Sequence, residues 1–168
     1  MAAQWAQSRQ TDRRSYVVMK ILHVSDLHSN AVWFDWLIAE SPNYDLICLT
    51  GGILNLGDLS SEIDREIDTA LTRLAQIKTP LAMCSGNHDL HFLSGQDRAQ
   101  WMTSLRRKNV WIDGDTFWFC DYRFRCIGWC DPVSRGIGED FWLMHAPPFG
   151  VRISMVDERY FARRCRCP

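Results

Sequence analysis

Apolar runs alternate with amphipathic segments along the first half of the chain, and this pattern predicts buried strands that are covered by helices. Three apolar runs predict strands, at Met19–Val24, Tyr44–Thr50 and Leu81–Ser85. Apolar residues at spacings of three and four predict one helix over Asn30–Glu40 and a second from Ser60 or Ser61 to about Lys78. Strands that alternate with helices are typical of an α/β fold with a parallel sheet.

Each of the two predicted helices has an apolar face, which we expect to pack against the core. In the first helix this face is Trp33, Leu37 and Ile38. In the second helix the apolar stripe consists of Ile63, Ile67, Ala70, Leu71, Leu74 and Ile77. A further helix is predicted from about Gln96 to Lys108, and a strand is predicted near Val110.

The pattern changes after Thr116, where apolar and charged residues begin to alternate. This period of two predicts half-buried strands, in an antiparallel ribbon or a second sheet. Asp140–Met144 is another apolar run and predicts a last buried strand that ends at His145. We expect residues 1–18 to be a disordered leader or an over-long start, 19–150 to form one domain, and 151–168 to be an irregular tail.

Composition excludes several classes of protein. A chain of 168 residues with 46% apolar and 23% charged residues is typical of one globular domain. The net charge of -1 disfavours nucleic acid as a partner, and no apolar run approaches the roughly 18 residues of a membrane span. The first residues lack the apolar core of a signal peptide, so we expect no export. We interpret the eight tryptophans as core or shielding groups rather than a base-stacking platform.

The cysteines indicate a reducing compartment. The chain has seven, an odd number, and Cys48 and Cys84 lie inside predicted strands, where a thiol acts as a small apolar group. We therefore predict a cytoplasmic protein with free thiols. A zinc clip built from Cys126, Cys130, Cys165 and Cys167 is disfavoured, since no pair has the C-x2-C spacing.

Polar residues with ligand chemistry follow the predicted strands. They form Asp26-x-His28, Thr50-Gly51-Gly52, Gly86-Asn87-His88-Asp89, and His145 before Ala146-Pro147-Pro148. Chemistry in α/β sheets collects at the carboxyl ends of strands, so we expect one shared pocket. A carboxylate beside an imidazole suits Zn, Mn or Fe. Taken singly, each group has a simpler interpretation as a helix cap, a polar turn or a strand-end histidine; their combination favours a metal site.

These motifs resemble those of the calcineurin-like metallophosphoesterase superfamily, over about Met19 to Phe149. The resemblance implies an α/β fold with a two-sheet β-sandwich flanked by helices. It also implies hydrolysis of phosphomonoesters or phosphodiesters by metal-bound hydroxide at two divalent ions, Mn, Zn or Fe. Asp26 and His28 match the ligands of one ion, and Asn87 and His145 match ligands of the other. His88 matches the catalytic histidine that meets the phosphate, and Asp89 its orienting partner, which would raise the imidazolium fraction.

The sequence departs from the family pattern at two places. Gly52 stands where the acid that bridges both ions is expected, and the final G-H-x-H motif is absent, so we expect the fold to be incomplete at the C-terminus. Two dications about 3.5 Å apart repel by roughly 19 kcal/mol at an effective dielectric of 20, and bridging anions offset that repulsion. We therefore expect one tightly bound ion or none. Asp58, or histidines from another chain, could replace the missing ligands.

Two main hypotheses about function follow. The first is a metal-dependent phosphoesterase with a phosphoester as its substrate, impaired by the loss of the bridging acid. The second is a non-catalytic remnant of the fold that binds phosphate or a partner. A nuclease is a third hypothesis, and the neutral charge counts against it. The sequence indicates no particular substrate, native metal or oligomeric state.

Overall fold

The computed structural model describes residues 19–55, 60–90, 99–129, 131, 138 and 140–145. The strands are β1 (Ile21–Val24), β2 (Leu46–Thr50), β3 (Leu81–Cys84), β4 (Val110–Trp111), β5 (Thr116–Phe119), β6 (Tyr122–Ile127) and β7 (Phe141–Met144). Within these ranges the helices are α1 (Ala31–Glu40), α2 (Ser60–Leu74) and two 3-10 helices, Ser41–Asn43 and Gln100–Leu105.

The strands of the described residues form two sheets. The first is parallel throughout, in the order β1-β2-β3-β4, with Ile21 opposite Leu46 and Ile47 opposite Leu81. In the second sheet β5 and β6 are antiparallel, and β7 runs parallel to β6. The predicted α/β fold with two sheets and flanking helices is confirmed.

Two apolar clusters hold these layers together. The first lies between the parallel sheet and the helices, and includes Phe34, Leu37, Leu49, Leu74 and Met83. The second lies between the sheets, and its buried members are Leu46, Cys48, Ala82, Cys84, Phe117, Phe124 and Cys126. Because β2 and β3 contribute to both clusters, every residue of these two strands is buried. The parallel sheet is thus covered on both faces, as its continuous apolar runs predict.

The outer strands are less buried than predicted. β1 has three half-buried residues and one exposed residue, and β7 has one exposed and three half-buried residues. Both strands lie at the end of their sheet's strand order among the described residues, so each has a hydrogen-bonded neighbour on one side only. An apolar run alone does not distinguish such a strand from a central one.

Helix α1 begins where predicted, but it buries a different face. Asn30 caps it, because its side chain accepts a hydrogen bond of 3.0 Å from the N–H of Val32. The buried residues are Phe34 and Leu37, whereas Trp33 is 53% exposed. The prediction that Trp33 faces the core is therefore wrong. Trp33 instead packs edge to face against Trp36 on the outer surface, with 6.0 Å between ring centroids, so the tryptophans are not uniformly core groups.

Helix α2 follows its predicted stripe but ends earlier. Ala70 and Leu74 are buried, as is Ile77 beyond the helix end. After Leu74 the backbone turns through i+3 hydrogen bonds, and Arg107 donates to the carbonyls of Ala75 and Ile77. The carbonyls left unpaired at the helix end thus find a cationic donor.

The helix predicted from Gln96 to Lys108 is a 3-10 helix, Gln100–Leu105, in the part that the structure describes. The chain turns at Arg106, whose guanidinium forms two hydrogen bonds with Asp115, of 3.2 and 3.1 Å. The helix ends at this turn, and the chain continues toward β4. The spacing of apolar residues that predicts a helix does not indicate which tertiary contacts an arginine will make.

Several predictions fall outside the described residues. They concern the leader (1–18), the tail (151–168), Asp58, and Cys130, Cys165 and Cys167 of the disfavoured zinc clip. Of the cysteines in the described ranges, Cys48, Cys84, Cys120 and Cys126 are all free thiols. None of the helices within those ranges is long and apolar enough to cross a membrane.

Candidate metal centre

The loops after β1, β2 and β3 are joined by main-chain hydrogen bonds. The N–H groups of Asp26 and His28 donate to the carbonyls of Gly51 and Gly52, at 3.0 and 2.8 Å. The N–H of Gly51 donates to the carbonyl of Cys84 at 2.8 Å. Because the three parallel strands end at the same edge of the sheet, the polar residues that follow them meet there, as predicted.

The loop after β1 has a strained backbone. Asp26, His28 and Ser29 have φ values of 58°, 46° and 53°, in the left-handed region that non-glycine residues rarely adopt. Each such residue costs about 1–3 kcal/mol, and the conformation persists only where the surroundings impose it. Here the imposing contacts are the hydrogen bonds to the loop after β2, which include Ser29 N–H to the Ile53 carbonyl at 2.9 Å. Strain of this kind collects at functional sites.

The buried carboxylate of Asp89 joins the loop after β2 to the loop after β3. Its side chain is 1% exposed, and one oxygen accepts from the N–H groups of Ile53 and Leu54, both at 2.8 Å. The other oxygen accepts from the N–H of Gly86 at 2.7 Å. Burial raises the pKa of Asp89 to about 6, against the opposite effect of these N–H groups, so it is ionised at neutral pH. Its role as an orienting partner of His88 stays a prediction.

His145 enters the site from the end of β7, with a defined tautomer. Its Nδ1 lies 2.9 Å from the carbonyl oxygen of Thr50. A carbonyl can only accept, so Nδ1 carries the proton and Nε2 keeps its lone pair when the ring is neutral. Nε2 lies 3.9 Å from Oδ1 of Asp26. A main-chain carbonyl that fixes the far nitrogen in this way is the usual support of a metal-binding histidine.

His28 and His88 complete the cluster around Asp26. Nε2 of His28 lies 3.5 Å from Oδ1 of Asp26, and the His28 and His88 rings meet edge to face with centroids 4.8 Å apart. Within the described part of the chain, the buried Nδ1 of His28 has no hydrogen-bond partner. Asp26, His28, His88 and His145 thus lie close together, whereas the predicted single pocket that also includes Asn87 stays a prediction. Asn87 is half-buried in the same loop as His88, and its role as a ligand stays a prediction.

The pKa of His88 is shifted from its ordinary value. Burial lowers the pKa of His88, and the neighbouring His28 and His145 lower it further, whereas Asp26 acts in the opposite direction. The net shift in the pKa of His88 is thus downward, and the effect of the Asp89 carboxylate on its imidazolium fraction stays a prediction.

Three glycines make the space in which these side chains meet. A Cβ atom at Gly51 would lie 2.5–2.6 Å from ring and Cβ atoms of His145, and one at Gly86 would lie 2.8 Å from His145 Cδ2. A Cβ atom at Gly52 would lie 2.7 Å from Oδ1 and 2.9 Å from Cα of Asp26. Gly51 and Gly52 also have φ values of 68° and 64°. Close approach thus requires glycine at all three positions, and the backbone conformation requires it also at Gly51 and Gly52.

Glu66 is a site residue that the sequence did not reveal. Its carboxylate accepts from the Ser29 hydroxyl at 3.0 Å and from the Asn55 N–H at 3.1 Å, so α2 is attached to two site loops. A small pocket opens beside it. Its lining residues are Leu54, Asn55, Ile63, Glu66, Ile67, His88, Asp89 and Leu90. On a helix, Glu66 follows the polar pattern of an ordinary exposed residue.

A second residue that sequence analysis missed is Asp113. Its carboxylate accepts from the N–H and the hydroxyl of Ser85, at 2.7 and 2.6 Å, and the Ser85 hydroxyl accepts from the N–H of Trp129 at 3.1 Å. The ring of Trp129 lies 5.6 Å from that of His145. This network connects the loop after β3 to the second sheet beside the cluster. Its members are distant in sequence, and Asp113 before Gly114 has the pattern of a turn.

Comparison with known proteins agrees with this geometry. A family model described as calcineurin-like phosphoesterase matches residues 19–165. The chain belongs to the calcineurin-like phosphoesterase family. The crystal structure of TT1561 of Thermus thermophilus is similar in fold, with a TM-score of 0.50 and 17% sequence identity. That match covers 67% of this chain and 49% of the other, so this chain spans about half of that protein. No curated protein matches the chain.

Calcineurin-like phosphoesterases use divalent metals and act on phosphoester substrates. Carboxylate and imidazole are the right donor types. Asp26 is the carboxylate beside the histidines, and the space next to Gly52 is occupied by Asp26 itself. Across the described ranges no group of three His, Cys, Asp or Glu side chains already stands in metal-binding geometry.

Proposed function

We propose that this chain hydrolyses phosphoesters in the presence of Mn, Zn or Fe, and does so more slowly than relatives that keep the bridging acid. The observation that supports this most is the convergence of His28 and His145 on Oδ1 of Asp26, at 3.5 and 3.9 Å, beside the ring of His88. Both phosphomonoesters and phosphodiesters are candidate substrates. A bound divalent ion would supply Lewis-acid activation of the phosphoryl group and of water.

The side chains have separate tasks in this proposal. Asp26 and His28 are metal ligands, as is His145, whose Nε2 lone pair is directed by the Thr50 carbonyl. Asn87 is available as a neutral amide ligand in the adjoining loop. His88 contacts the substrate phosphate as a neutral hydrogen-bond donor, since its lowered pKa disfavours the cation. Asp89 keeps the loop that carries Asn87 and His88 in place through its three main-chain hydrogen bonds.

The cellular location belongs to the same proposal. Cys48, Cys84 and Cys126 are buried free thiols between the sheets, and burial raises the pKa of Cys48 to about 12. Cys120 is an exposed free thiol. Unpaired thiols are typical of a reducing compartment, which supports a cytoplasmic protein.

A second candidate function is a non-catalytic module that binds phosphate. The close approach of Asp26 to Gly52 favours it, because the family's bridging acid has no room in this loop conformation. In this alternative the histidine cluster binds a phosphate or a phosphorylated partner and no ester bond breaks. The cluster is partly exposed, with 39% of the His28 side chain and 51% of the Asp26 side chain accessible.

Hydrolysis of p-nitrophenyl phosphate and bis-p-nitrophenyl phosphate with added Mn or Zn tests the first proposal. We expect slow, metal-dependent turnover that is lost in Asp26→Asn and falls about 100-fold or more in His88→Asn. Asp121→Asn is the control, since Asp121 is an exposed residue in the turn between β5 and β6. Folded protein that binds inorganic phosphate in calorimetry but shows the same background rate in all variants supports the non-catalytic module instead.

A further inference from the structure

We propose that the pocket beside Glu66 binds the alcohol part of the phosphoester, and that Glu66 selects alcohols that carry an amine. The pocket lies between α2 and the loops after β2 and β3, and is called the Glu66 pocket below. The substrate class is therefore a phosphoester of a short amino alcohol. This inference rests on the proposed function in one respect, because it places the phosphate of the ester at the histidine cluster.

The Glu66 pocket adjoins the histidine cluster directly. His88 lines the pocket, and its ring meets that of His28 edge to face, with 4.8 Å between the centroids. The loops after β2 and β3 form one wall of the pocket, and α2 forms the other. Because one imidazole belongs to both the cluster and the pocket, a phosphate bound at the cluster has its ester substituent within reach of the pocket.

Much of the wall of the Glu66 pocket is apolar. Leu54 and Leu90 are 4% and 5% exposed, and Ile63 and Ile67 of α2 are half-buried. The carboxylate of Asp89, which also lines the pocket, is already bonded to three main-chain N–H groups. Ligand sites commonly combine such apolar walls with a few polar groups that fix the orientation of the ligand. These walls suit the methylene groups of a short alkyl chain.

Glu66 brings a carboxylate to this apolar wall, and one of its oxygens remains available. Oε2 accepts from the Ser29 hydroxyl at 3.0 Å and from the Asn55 N–H at 3.1 Å. In the described part of the chain both hydrogen bonds to Glu66 end at Oε2, so Oε1 keeps its capacity to accept. An ammonium group supplies both a donor and the opposite charge, which makes a stronger hydrogen bond than a neutral donor. Oε1 is therefore the expected contact of a ligand amine.

The fold uses the position of Glu66 but does not need its charge. The two hydrogen bonds that attach α2 to the site loops require one acceptor oxygen, which a neutral amide also has. A half-buried negative charge loses part of its hydration, and a cationic ligand compensates for that loss. Because Ser29 and Asn55 hold the carboxylate in one orientation, little conformational freedom is lost when the amine binds.

Calorimetric titration of the full chain with phosphonates, in the presence of Mn, tests the inference without requiring turnover. Aminoethylphosphonate is paired with propylphosphonate, and aminopropylphosphonate with butylphosphonate, so each pair differs by an ammonium group in place of a methyl group. We expect the aminoalkyl ligand of at least one pair to bind about tenfold or more tightly than its partner. Equal affinities within both pairs, or no binding of any phosphonate, would overturn the inference.

Glu66→Gln is the discriminating variant. Its amide oxygen can still accept from Ser29 and Asn55, while its NH2 group replaces Oε1. We expect the preference for the ammonium ligand to fall to about twofold or less, and the ratio within one variant is unaffected by a general weakening of binding. Glu62→Gln is the matched control, because Glu62 is an exposed acid on the same helix. A preference that persists in Glu66→Gln, or is lost equally in Glu62→Gln, would contradict the assignment.

A second variant tests the apolar wall independently of Glu66. In the wild type we expect butylphosphonate to bind more tightly than methylphosphonate, and Ile63→Phe should remove this difference by filling the pocket. An unchanged difference would show that the alkyl chain lies elsewhere. Hydrolysis of phosphoethanolamine and propyl phosphate separates the two proposals. Turnover without any preference refutes the pocket assignment alone, and a binding preference without turnover refutes the proposed function alone.

Discussion

Two aspartates at the same edge of the parallel sheet have opposite surroundings. Asp89 is 1% exposed, and its carboxylate accepts three main-chain hydrogen bonds. The side chain of Asp26 is 51% exposed, on a left-handed backbone, and two histidine nitrogens lie 3.5 and 3.9 Å from one of its oxygens. The first carboxylate is fully used by the fold, whereas the second remains available to a ligand. Neighbouring residues of one chemical type can therefore have separate structural and functional roles.

The largest expected effect is on stability, at the buried member of this pair. In Asp89→Asn the amide NH2 group must face either the Gly86 N–H or those of Ile53 and Leu54, so at least one buried donor loses its acceptor. We expect a loss of about 3 kcal/mol in the free energy of unfolding, measured with urea.

Asp26→Asn is the matched comparison for that measurement. Its carboxylate is half exposed and lies next to histidine nitrogens, so we expect its replacement to change metal-free stability by less than about 1 kcal/mol. Equal losses of unfolding free energy in Asp89→Asn and Asp26→Asn would show that the two carboxylates stabilise the fold to the same extent. The two aspartates would then not have separate structural and functional roles.

A smaller effect is expected at the glycine beside Asp26. Gly52→Ala places a methyl group against Asp26 on a backbone with a φ of 64°, and we expect a loss of about 2 kcal/mol or more. Gly114→Ala is the matched control, because Gly114 has a φ of 82° but no atom within 4 Å of an added Cβ. The difference in unfolding free energy between the two variants measures the contact with Asp26. No difference would mean that the loop moves away freely.

The smallest expected effect is a shift in titration. His88 has a lowered pKa, so in metal-free protein its imidazole should titrate below the usual 6.5 when followed by NMR, with His88→Asn assigning the resonance. Because the folded pKa is below the unfolded one, the stability linked to His88 is complete above about pH 6.5 and is lost as the pH falls toward the folded value. A midpoint above 6.5 would show that Asp26 dominates over burial and the other histidines.

Most of the fold could be predicted, because β2, β3 and the stripe of α2 are repeated patterns of apolar residues. The errors arose where packing decides between similar residues. Trp33 and Phe34 are both aromatic neighbours on α1, and only the direction of the helix on the sheet selects Phe34 for the core. The strands at the ends of the sheets, β1 and β7, have the apolar composition of central strands, so composition overstated their burial.

The candidate site could be predicted only in part. Asp26, His28, His88 and His145 were predicted because they follow strands in recognisable motifs. Glu66 and Asp113 were not, since their contacts with Ser29 and Ser85 join segments that are 37 and 28 residues apart. The lowered pKa of His88 depends on its burial and on two other imidazoles nearby in space, which no local pattern encodes.

The hydrogen bond between His145 and the Thr50 carbonyl spans 95 residues and joins β7 of one sheet to β2 of the other. His145, one of the four members of the polar cluster, thus joins the other three only after the two sheets have packed together. A divalent ion bound by both His145 and Asp26 would connect the two sheets. Metal binding would then add to the free energy of unfolding of the whole domain. We then expect the melting temperature to rise with metal concentration and to fall when a chelator is added. A variant without an imidazole at position 145 should show neither change.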